Sequence, residues 1–257
     1  MASEPEPEAD IRVAPELALF LRSGRRARSG GRVRCDGVSS LGHVVQSLGV
    51  PLTEVGALVV NGVPEQPRYR PRGGDVVQVL PVPRPQPVDR PGFLLDVHLG
   101  TLARRLRLVG VDAAYDRDAD DDALIERANA ARRVLLTQDR GLLQRRSLWR
   151  GAYVRGAGPD EQFADVLGRF APALAPWTRC TACNGPLAAA PKADIAELLK
   201  PGTRRTYDSF ARCADCGRVY WRGAHGRRLQ ATIDTAIDIV GTASSRAGRA
   251  ADGGALA

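Results

Sequence analysis

The sequence has no long hydrophobic run, since each of its apolar stretches extends over only a few residues. A membrane-spanning helix needs about 20 predominantly apolar residues, so we expect no membrane partner. The N-terminus, MASEPEPEAD, is acidic and no hydrophobic segment follows it, so we expect no secretory signal peptide and a cytoplasmic location. A glycine-rich phosphate loop and a nucleophile elbow are also missing, which argues against two common classes of hydrolase.

Lysine is scarce as well: of the 37 lysine and arginine residues, only Lys192 and Lys200 are lysine. The formal net charge is nevertheless +8, and arginine carries it. A basic chain favours a polyanionic partner such as RNA, because clustered cations release counterions from phosphate backbones. A biased genomic base composition also produces an excess of arginine, so the charge alone leaves both explanations open.

Cysteine is sparse, but four of the five cysteines form two CxxC pairs. The pairs are Cys180 with Cys183, in RCTACNGPL, and Cys213 with Cys216, in ARCADCGRVYW, whereas Cys35 stands alone. Two such pairs offer four thiolates, which match the closed tetrahedral coordination of structural zinc. Disulfides are the alternative, and a cytoplasmic location disfavours them. The spacing therefore predicts a zinc ribbon.

A proline-rich segment separates two parts of the chain. The segment PVPRPQPVDRPG, residues 81–92, is typical of a semi-rigid linker, because proline stiffens the backbone and cannot donate to a β-ladder. Strands and one helix are predicted before it, whereas strands alternate with helices after it, which indicates a parallel sheet with helices on both faces. The predicted divisions are a β-rich domain at residues 1–82, the linker at 83–91, an α/β domain at 92–176, a zinc ribbon at 177–230 and a partly disordered segment at 231–257.

The N-terminal segment shows a resemblance to a known family. SLGHVVQSLGVPLTEVGALVVNGVP followed by GGDVVQVLPV resembles the ubiquitin-like β-grasp domains related to sulfur carriers, in the version that precedes mutator-seven C-terminal nuclease domains. Sulfur carriers need a free C-terminal Gly-Gly, whereas LPVPRP occupies that place here and the chain continues. We therefore expect a docking or regulatory module with a protein partner, or a purely structural role, instead of carrier chemistry.

Two predicted buried strands each lead into an aspartate. FLLD ends in Asp96, VLLTQD ends in Asp139, and the acidic run DRDADDD at residues 116–122 precedes a predicted helix. Ligands bind beyond the carboxyl ends of parallel strands, so these carboxylates meet in one pocket if the strands are neighbours. Such a cluster repels itself unless hard divalent cations occupy it. Taken singly, a strand-end aspartate is also typical of a helix N-cap, and the acidic run of a solvated helix start.

Four segments, in this order, resemble the mutator-seven C-terminal ribonuclease family, a PIN-type nuclease domain with a zinc ribbon. They are FLLDVHLGTLARRLRLVGVD, ARRVLLTQDRGLLQRR, RCTACNGPL and FARCADCGRVYWRGAH. The resemblance implies an α/β fold with a PIN-like parallel sheet, flanked by helices, whose aspartates bind magnesium or manganese. The matching positions are Asp96, Asp121 and Asp139. The alternatives to Asp121 that stay open are Asp118, Asp120 and Asp122.

The function that the resemblance implies is metal-dependent hydrolysis of RNA phosphodiester bonds. Thr137 is a candidate for orienting the attacking water, and strand packing is its alternative role. The candidates for binding substrate phosphates are Arg104, Arg107 and Arg140, each of which is also typical of a solvated helix surface. The alternative function is a non-catalytic RNA-binding or adaptor protein that uses the zinc ribbon and the arginine-rich surfaces.

Overall fold

The structure is a computed structural model that describes residues 7–22, 30–88, 92–223 and 226–253. The chain divides into two compact units. Unit 1 comprises Met1–Pro83 and Thr137–Tyr153, and unit 2 comprises Arg84–Leu136 and Val154–Ala257. In the part of the chain that the structure describes, no helix is both long and apolar enough to cross a membrane.

The elements are numbered in chain order. The strands are β1 (Glu8–Val13), β2 (Gly30–Arg34), β3 (Val55–Val60), β4 (Val63–Glu65), β5 (Val76–Pro81), β6 (Phe93–Leu95), β7 (Ala113–Tyr115), β8 (Val134–Thr137), β9 (Gly151–Tyr153), β10 (Leu187–Ala190), β11 (Phe210–Cys213) and β12 (Val219–Trp221). The α-helices are α1 (Leu41–Ser47), α2 (Gly100–Leu108), α3 (Asp121–Ala130), α4 (Arg140–Leu143), α5 (Pro159–Phe170), α6 (Lys192–Ile195), α7 (Pro201–Thr206) and α8 (Gly226–Gly253).

Unit 1 is built on a mixed sheet with the strand order β2-β1-β5-β3-β4. β1 and β5 are parallel, and the other neighbouring pairs are antiparallel. α1 begins after Ser40, whose hydroxyl accepts a hydrogen bond from the backbone N–H of His43. The core includes Leu41, Val44 and Val45 from α1 and Ile11, Val77 and Val79 from the sheet. The prediction of a β-rich N-terminal domain that contains a helix is confirmed, and Pro15–Phe20 forms a 3-10 helix between β1 and β2.

The second part of unit 1, Thr137–Tyr153, packs against the N-terminal residues. The ring of Tyr153 meets that of Phe20 edge-on, with the ring centroids 5.1 Å apart. The backbone N–H of Tyr153 donates to Oε1 of the buried Glu54 at 2.8 Å. The sequence pattern places this segment inside residues 92–176, whereas its contacts group it with the N-terminal residues in unit 1. Local patterns do not show this packing, because Tyr153 and Glu54 are 99 positions apart in the chain.

The parallel sheet predicted for the α/β domain is present in unit 2. β6 pairs in parallel with β7 and with β8, and the register places Leu95 opposite both Tyr115 and Leu136. The three residues of β6 are at most 1% exposed, as expected for a strand covered on both faces. α2 packs against β7 and α5. The prediction of a parallel α/β architecture is therefore confirmed.

The C-terminal part of unit 2 contains a small antiparallel sheet with the strand order β10-β11-β12. Its hydrophobic cluster consists of Ile195, Leu199 and Phe210, with a few half-buried neighbours. A core of this size contributes little stability by itself, so a ribbon of this kind usually needs a structural metal.

The segment predicted to be partly disordered instead contains most of α8, which runs from Gly226 to Gly253. Ile233, Ala236 and Ala243 are buried on one face of this helix, and α8 packs against α5. The spacing of three and seven residues between them follows the helical period. Residues 231–253 of this segment are therefore helical, and residues 254–257 lie outside the described ranges.

Candidate metal centre and active site

The four paired cysteines converge in unit 2. The Sγ atoms of Cys180, Cys183, Cys213 and Cys216 all lie within 4.8 Å of one another. The Sγ of Cys180 is 3.6 Å from that of Cys216, and the Sγ of Cys183 is 3.4 Å from that of Cys213. Four sulfurs bound tetrahedrally at about 2.3 Å from zinc stand about 3.8 Å apart, so the cluster can hold a zinc ion. A disulfide would need about 2.05 Å, and these cysteines are free.

Both CxxC pairs are held in the same kind of turn. The backbone N–H of Asn184 donates to the carbonyl oxygen of Cys180 at 2.9 Å, and that of Gly217 donates to Cys213 at 3.1 Å. Asn184 and Gly217 have φ angles of 76° and 71°. This left-handed conformation favours glycine and is tolerated by asparagine. Each turn therefore places both thiols of its pair in one tight loop.

The pKa values of two of the four thiols are shifted in opposite directions. Burial raises the pKa of Cys180, but hydrogen bonds from the Tyr220 hydroxyl, 3.0 Å from Sγ, and from backbone N–H groups outweigh it and lower the pKa to about 6. Burial and the neighbouring thiols raise the pKa of Cys183 to about 12. Four thiolates in this space therefore need a cation that offsets their mutual repulsion.

Arg107 connects the first cysteine turn to the α/β part of unit 2. Its residue surface is 3% exposed. Nε donates to the carbonyl oxygen of Ala113 at 2.7 Å, and Nη1 donates to those of Thr181 and Ala182 at 3.2 and 2.7 Å. The prediction that Arg107 binds substrate phosphates is wrong, because its guanidinium is buried and directed at three backbone carbonyls.

Asp112 and Asn184 also connect the first cysteine turn to the α/β part of unit 2. No local sequence pattern indicates this second connection. Asp112 accepts hydrogen bonds from Arg133 at 2.7 and 3.1 Å and from Nδ2 of Asn184 at 2.7 Å. Oδ1 of Asn184 accepts from the backbone N–H of Ala113 at 3.0 Å. Burial raises the pKa of Asp112, but the bonds from Arg133 and Asn184 outweigh it and hold the pKa below the ordinary value.

Asp96 directly follows β6. Its backbone N–H donates to the carbonyl oxygen of Leu136 in β8 at 3.0 Å, and its own carbonyl accepts from the N–H of Leu99 at 2.9 Å. The residue is 7% exposed, and its side chain makes no capping hydrogen bond to the turn Val97–Leu99. Helix capping is therefore not the role of this carboxylate, which is held by its backbone at the carboxyl end of β6.

Asp116 follows β7 as Asp96 follows β6. Because Tyr115 lies opposite Leu95, the two aspartates occupy equivalent positions on adjacent strands, which are about 4.8 Å apart in parallel sheets. The Asp116 carboxylate accepts from the N–H of Asp118 and from Arg127, and these two contacts lower its pKa. In the sequence, Asp116 is only one member of an acidic run, because neither the end of β7 nor its register is evident from local patterns.

Asp121 lies in the first turn of α3. The N-cap of this helix is Asp120, whose Oδ1 accepts from the backbone N–H of Ala123 at 2.8 Å. Asp121 and Asp122 follow it and are exposed, where negative charge is favourable to the helix dipole. The carboxylate that caps α3 is therefore that of Asp120 and not that of Asp121. The role of Asp121 as a metal ligand stays a prediction.

Asp139, in unit 1, is the N-cap of α4. Its Oδ1 accepts from the backbone N–H groups of Gly141 and Leu142 at 2.7 and 3.4 Å. Thr137 is 0% exposed, and its Oγ1 accepts from the backbone N–H of Asp139 at 2.9 Å. The structure thus shows the capping role for Asp139; both capping bonds use Oδ1 and neither uses Oδ2, and the role of Asp139 as a metal ligand stays a prediction. The Thr137 hydroxyl stabilises the turn that carries Asp139.

Two family models match the chain. One, described as the Mut7-C RNAse domain, matches residues 91–233, which is more than half of the 257 residues. The chain belongs to the Mut7-C RNAse domain family. The other model, described as Mut7-C ubiquitin, matches residues 6–87, so the Mut7-C RNAse domain is preceded by a ubiquitin-like domain, as predicted. Searches of curated proteins and of solved structures each found no match.

The two remaining arginine candidates differ in their surroundings in this Mut7-C protein. Arg104 is exposed on α2. Arg140 is half-buried in unit 1, with its guanidinium carbon 5.6 Å from the ring centroid of Phe20 and 6.0 Å from that of Tyr153. These contacts are in the range of cation–π interactions, so Arg140 contributes to the packing of unit 1. Phosphate binding by Arg104 or Arg140 stays a prediction.

Within the described part of the Mut7-C protein, the four cysteines are the one group of three or more ligand side chains compact enough to hold a metal ion. Asp96, Asp121 and Asp139 do not form a second group of this kind. Asp96 and Asp121 belong to unit 2, and Asp139 belongs to unit 1. The convergence of the three carboxylates on one cation therefore stays a prediction.

Proposed function

We propose that this Mut7-C protein is a divalent-metal-dependent ribonuclease that hydrolyses RNA phosphodiester bonds. The observation that carries the proposal is the parallel pairing of β6 with both β7 and β8. Asp96 and Asp116 directly follow β6 and β7, and Asp139 lies two positions beyond the end of β8. The carboxyl ends of parallel strands form the ligand-binding edge of an α/β sheet. The match to a ribonuclease domain family supports the same assignment.

The proposed ligands of magnesium or manganese are Asp96, Asp139 and one aspartate of the run 116–122. The family resemblance favours Asp121, which is exposed and is not the N-cap of α3. The register favours Asp116, whose carboxylate is paired with Arg127. Carboxylate oxygens are the ligands that hard divalent cations prefer, so the donor set fits such an ion.

Bound metal would supply an activated water and would neutralise charge on the scissile phosphate. The protein's own residues would hold the site in place. Two backbone hydrogen bonds fix the position of Asp96, and the capping bonds at Oδ1 fix the carboxylate of Asp139. The buried hydroxyl of Thr137 would stabilise this arrangement through the N–H of Asp139. Such rigidity matters because displacement of a catalytic group by about 1 Å can cost about 100-fold in rate.

We also propose that zinc occupies the four-cysteine cluster and that the protein works in the cytoplasm. The Sγ–Sγ distances of 3.4 and 3.6 Å support zinc, and the location follows from the acidic N-terminus without a hydrophobic segment. In this role zinc would be structural, because four protein ligands leave no open position for a substrate.

The test is cleavage of a labelled single-stranded RNA by Asp96→Asn and Asp139→Asn proteins across a manganese titration. Asn keeps the size of the side chain and much of its capping ability, but it lacks the anionic oxygen that the metal needs. We expect cleavage to fall by at least about 100-fold, since loss of a group that merely supports a metal ligand costs about 10–100-fold. The double variant should be little worse than either single variant, because the two residues act as one unit.

Asp36→Asn provides a matched control. Asp36 is also an exposed aspartate of unit 1 and accepts from two backbone N–H groups, those of Val38 and Ser39 at 2.9 and 2.7 Å. We expect its cleavage rate to stay within about twofold of the wild type. Wild-type cleavage by stably folded Asp139→Asn protein would contradict the proposal. A comparison of Asp116→Asn with Asp121→Asn then identifies the third ligand, as the variant that raises the manganese requirement.

The second candidate function is a non-catalytic RNA-binding or adaptor protein. The observation that favours it is the lack of a compact group of three carboxylates in the described ranges. In that case the purified wild type binds RNA but does not cleave it with magnesium or manganese, and Asp96→Asn leaves RNA affinity unchanged. Metal-dependent cleavage that Asp96→Asn abolishes excludes this alternative.

A further inference from the structure

Unit 1 contains an open groove of about 630 Å³. Three parts of the unit line it: α1 with the residues around it, the segment Pro67–Arg70 and the residues from Leu143 to Leu148. The last part belongs to the segment that begins with Asp139 and α4. The groove is therefore formed jointly by the ubiquitin-like domain and by the chain segment that carries a proposed catalytic residue.

The lining of this groove is strongly basic. It includes Arg68, Arg70, Arg145 and Arg146, together with His43, and it includes no aspartate or glutamate. All four arginines are exposed. Four guanidinium groups around one cavity repel each other, and an anionic ligand with several charges relieves that repulsion.

The charges of this groove differ from those of the sheet surface formed by β1 and β2, in the same unit. On β1 and β2, Arg12 pairs with Asp10 at 2.9 Å and Arg32 approaches Glu8 at 3.8 Å. In the described ranges, no such ion pair is found for Arg68, Arg70 or Arg146. Arginine is suited to phosphate because its planar group donates two parallel hydrogen bonds.

The position of the groove along the chain favours RNA over an acidic peptide. Arg145 and Arg146 follow Asp139 by six and seven positions, so their Cα atoms lie at most about 25 Å from that of Asp139 even if the chain were fully extended. An RNA strand held at Asp139 can therefore reach this part of unit 1 within a few nucleotides. Leu52 and Pro67 add apolar surface to the lining, against which unpaired bases can pack.

We infer that this groove binds the single-stranded RNA that flanks the scissile phosphodiester. The inference rests on the proposed ribonuclease function, and it gives the ubiquitin-like domain a direct role in substrate binding. A volume of about 630 Å³ lies within the range of about 300–1,000 Å³ found for small-ligand sites, so the groove holds a short stretch of the strand and not a folded partner.

The test compares two double variants of the full-length protein that remove the same charge from unit 1. Arg68→Gln/Arg146→Gln changes the groove, and Arg12→Gln/Arg32→Gln changes the sheet surface. Binding of a labelled 20-nucleotide single-stranded RNA is measured over a salt series, without added magnesium or manganese so that the RNA stays intact. Thermal unfolding confirms that both proteins are folded, and Arg70→Gln serves as a further groove variant.

The expected loss follows from counterion release. Each phosphate contact to a single strand contributes about 0.7 to the slope of log K against log salt, so two lost contacts reduce the slope by about 1.4. At 0.1 M salt this corresponds to about 25-fold weaker binding for the groove variant. The control variant should lose less than about threefold. In cleavage assays, the groove variant should lose kcat/KM on the 20-nucleotide RNA but not on a dinucleotide that is too short to reach the groove.

Equal RNA affinities for the two double variants would overturn the inference. Stronger binding of a polyglutamate peptide than of RNA with the same charge would also overturn it, and would identify the groove as a site for an acidic protein partner. If the wild type does not cleave RNA but the groove variant still loses RNA affinity selectively, the proposed ribonuclease function fails while the groove remains an RNA-binding site. The two proposals can therefore fail separately.

Discussion

Replacement of Arg107 by alanine tests whether this residue is structural or binds substrate. The side chain is buried, and its guanidinium donates to the carbonyl oxygens of Ala113, Thr181 and Ala182. Alanine at this position leaves three acceptors without their donor. We therefore expect the main effect of Arg107→Ala to be on the stability of unit 2, and in particular on the attachment of the first cysteine turn.

The magnitude follows from these three hydrogen bonds. A hydrogen bond from a charged donor contributes about 1.5–3 kcal/mol to stability. The bond to Ala113 is buried and should contribute its full value, whereas the bonds to Thr181 and Ala182 are only partly buried, so water can replace part of their contribution. We expect the free energy of unfolding to fall by about 3–4 kcal/mol, which is large compared with most single substitutions.

The assay measures urea unfolding of unit 2 within the full-length protein. The zinc content of the purified protein is measured as well. Arg104→Ala is the matched control, because Arg104 lies on the same helix and is exposed. We expect its free energy of unfolding to change by less than about 0.5 kcal/mol. Full stability of Arg107→Ala combined with loss of RNA binding would refute the structural assignment and would restore the phosphate-binding role predicted from the sequence.

Three further predictions concern zinc, pH and the ubiquitin-like domain. Cys180→Ser removes one of four thiolates, so we expect loss of bound zinc and unfolding of the β10–β12 sheet, measured by elemental analysis and thiol reactivity; full zinc content in the variant contradicts the assignment. The pKa of Asp112 is below its ordinary value in the folded protein, so its contribution to stability is present above about pH 4 and is lost as the pH falls further. Asp112→Asn should remove this acid-dependent part, and an unchanged pH profile of unfolding would count against it. Deletion of residues 1–83 removes the Phe20 and Glu54 contacts of the segment Thr137–Tyr153, so we expect RNA cleavage to fall at least about tenfold; wild-type cleavage by a soluble truncated protein would show that the ubiquitin-like domain is accessory.

Parts of the candidate site could be predicted because their signal is local. The two CxxC pairs specify thiols within single turns, and these turns do bring four Sγ atoms within 4.8 Å of one another. The strands before Asp96 and Asp139 are short apolar runs, which are typical of buried parallel strands. Both parallel strands are present; β6 ends directly before Asp96, whereas β8 ends at Thr137, two positions before Asp139.

Other parts depend on register and could not be predicted in this way. Asp116 lies beside Asp96 because Tyr115 pairs with Leu95, and a shift of one residue would change which aspartate reaches that position. The acidic run offers five aspartates within seven residues, 116–122. Composition alone therefore cannot choose between Asp116 and Asp121.

The sequence by itself determined the order of the domains, the short apolar strands and the two CxxC pairs, because each of these is a pattern of residues that are close together in the chain. Only the tertiary structure decided that Arg107 is buried against the first cysteine turn and that Thr137–Tyr153 packs with the N-terminal domain. Arg107 and Ala182 are 75 positions apart, and Tyr153 and Glu54 are 99 positions apart. The local sequence pattern around a helical arginine is the same whether the side chain is exposed to solvent or packed against another segment. The role of the arginine therefore depends on which surfaces pack together and not on local spacing.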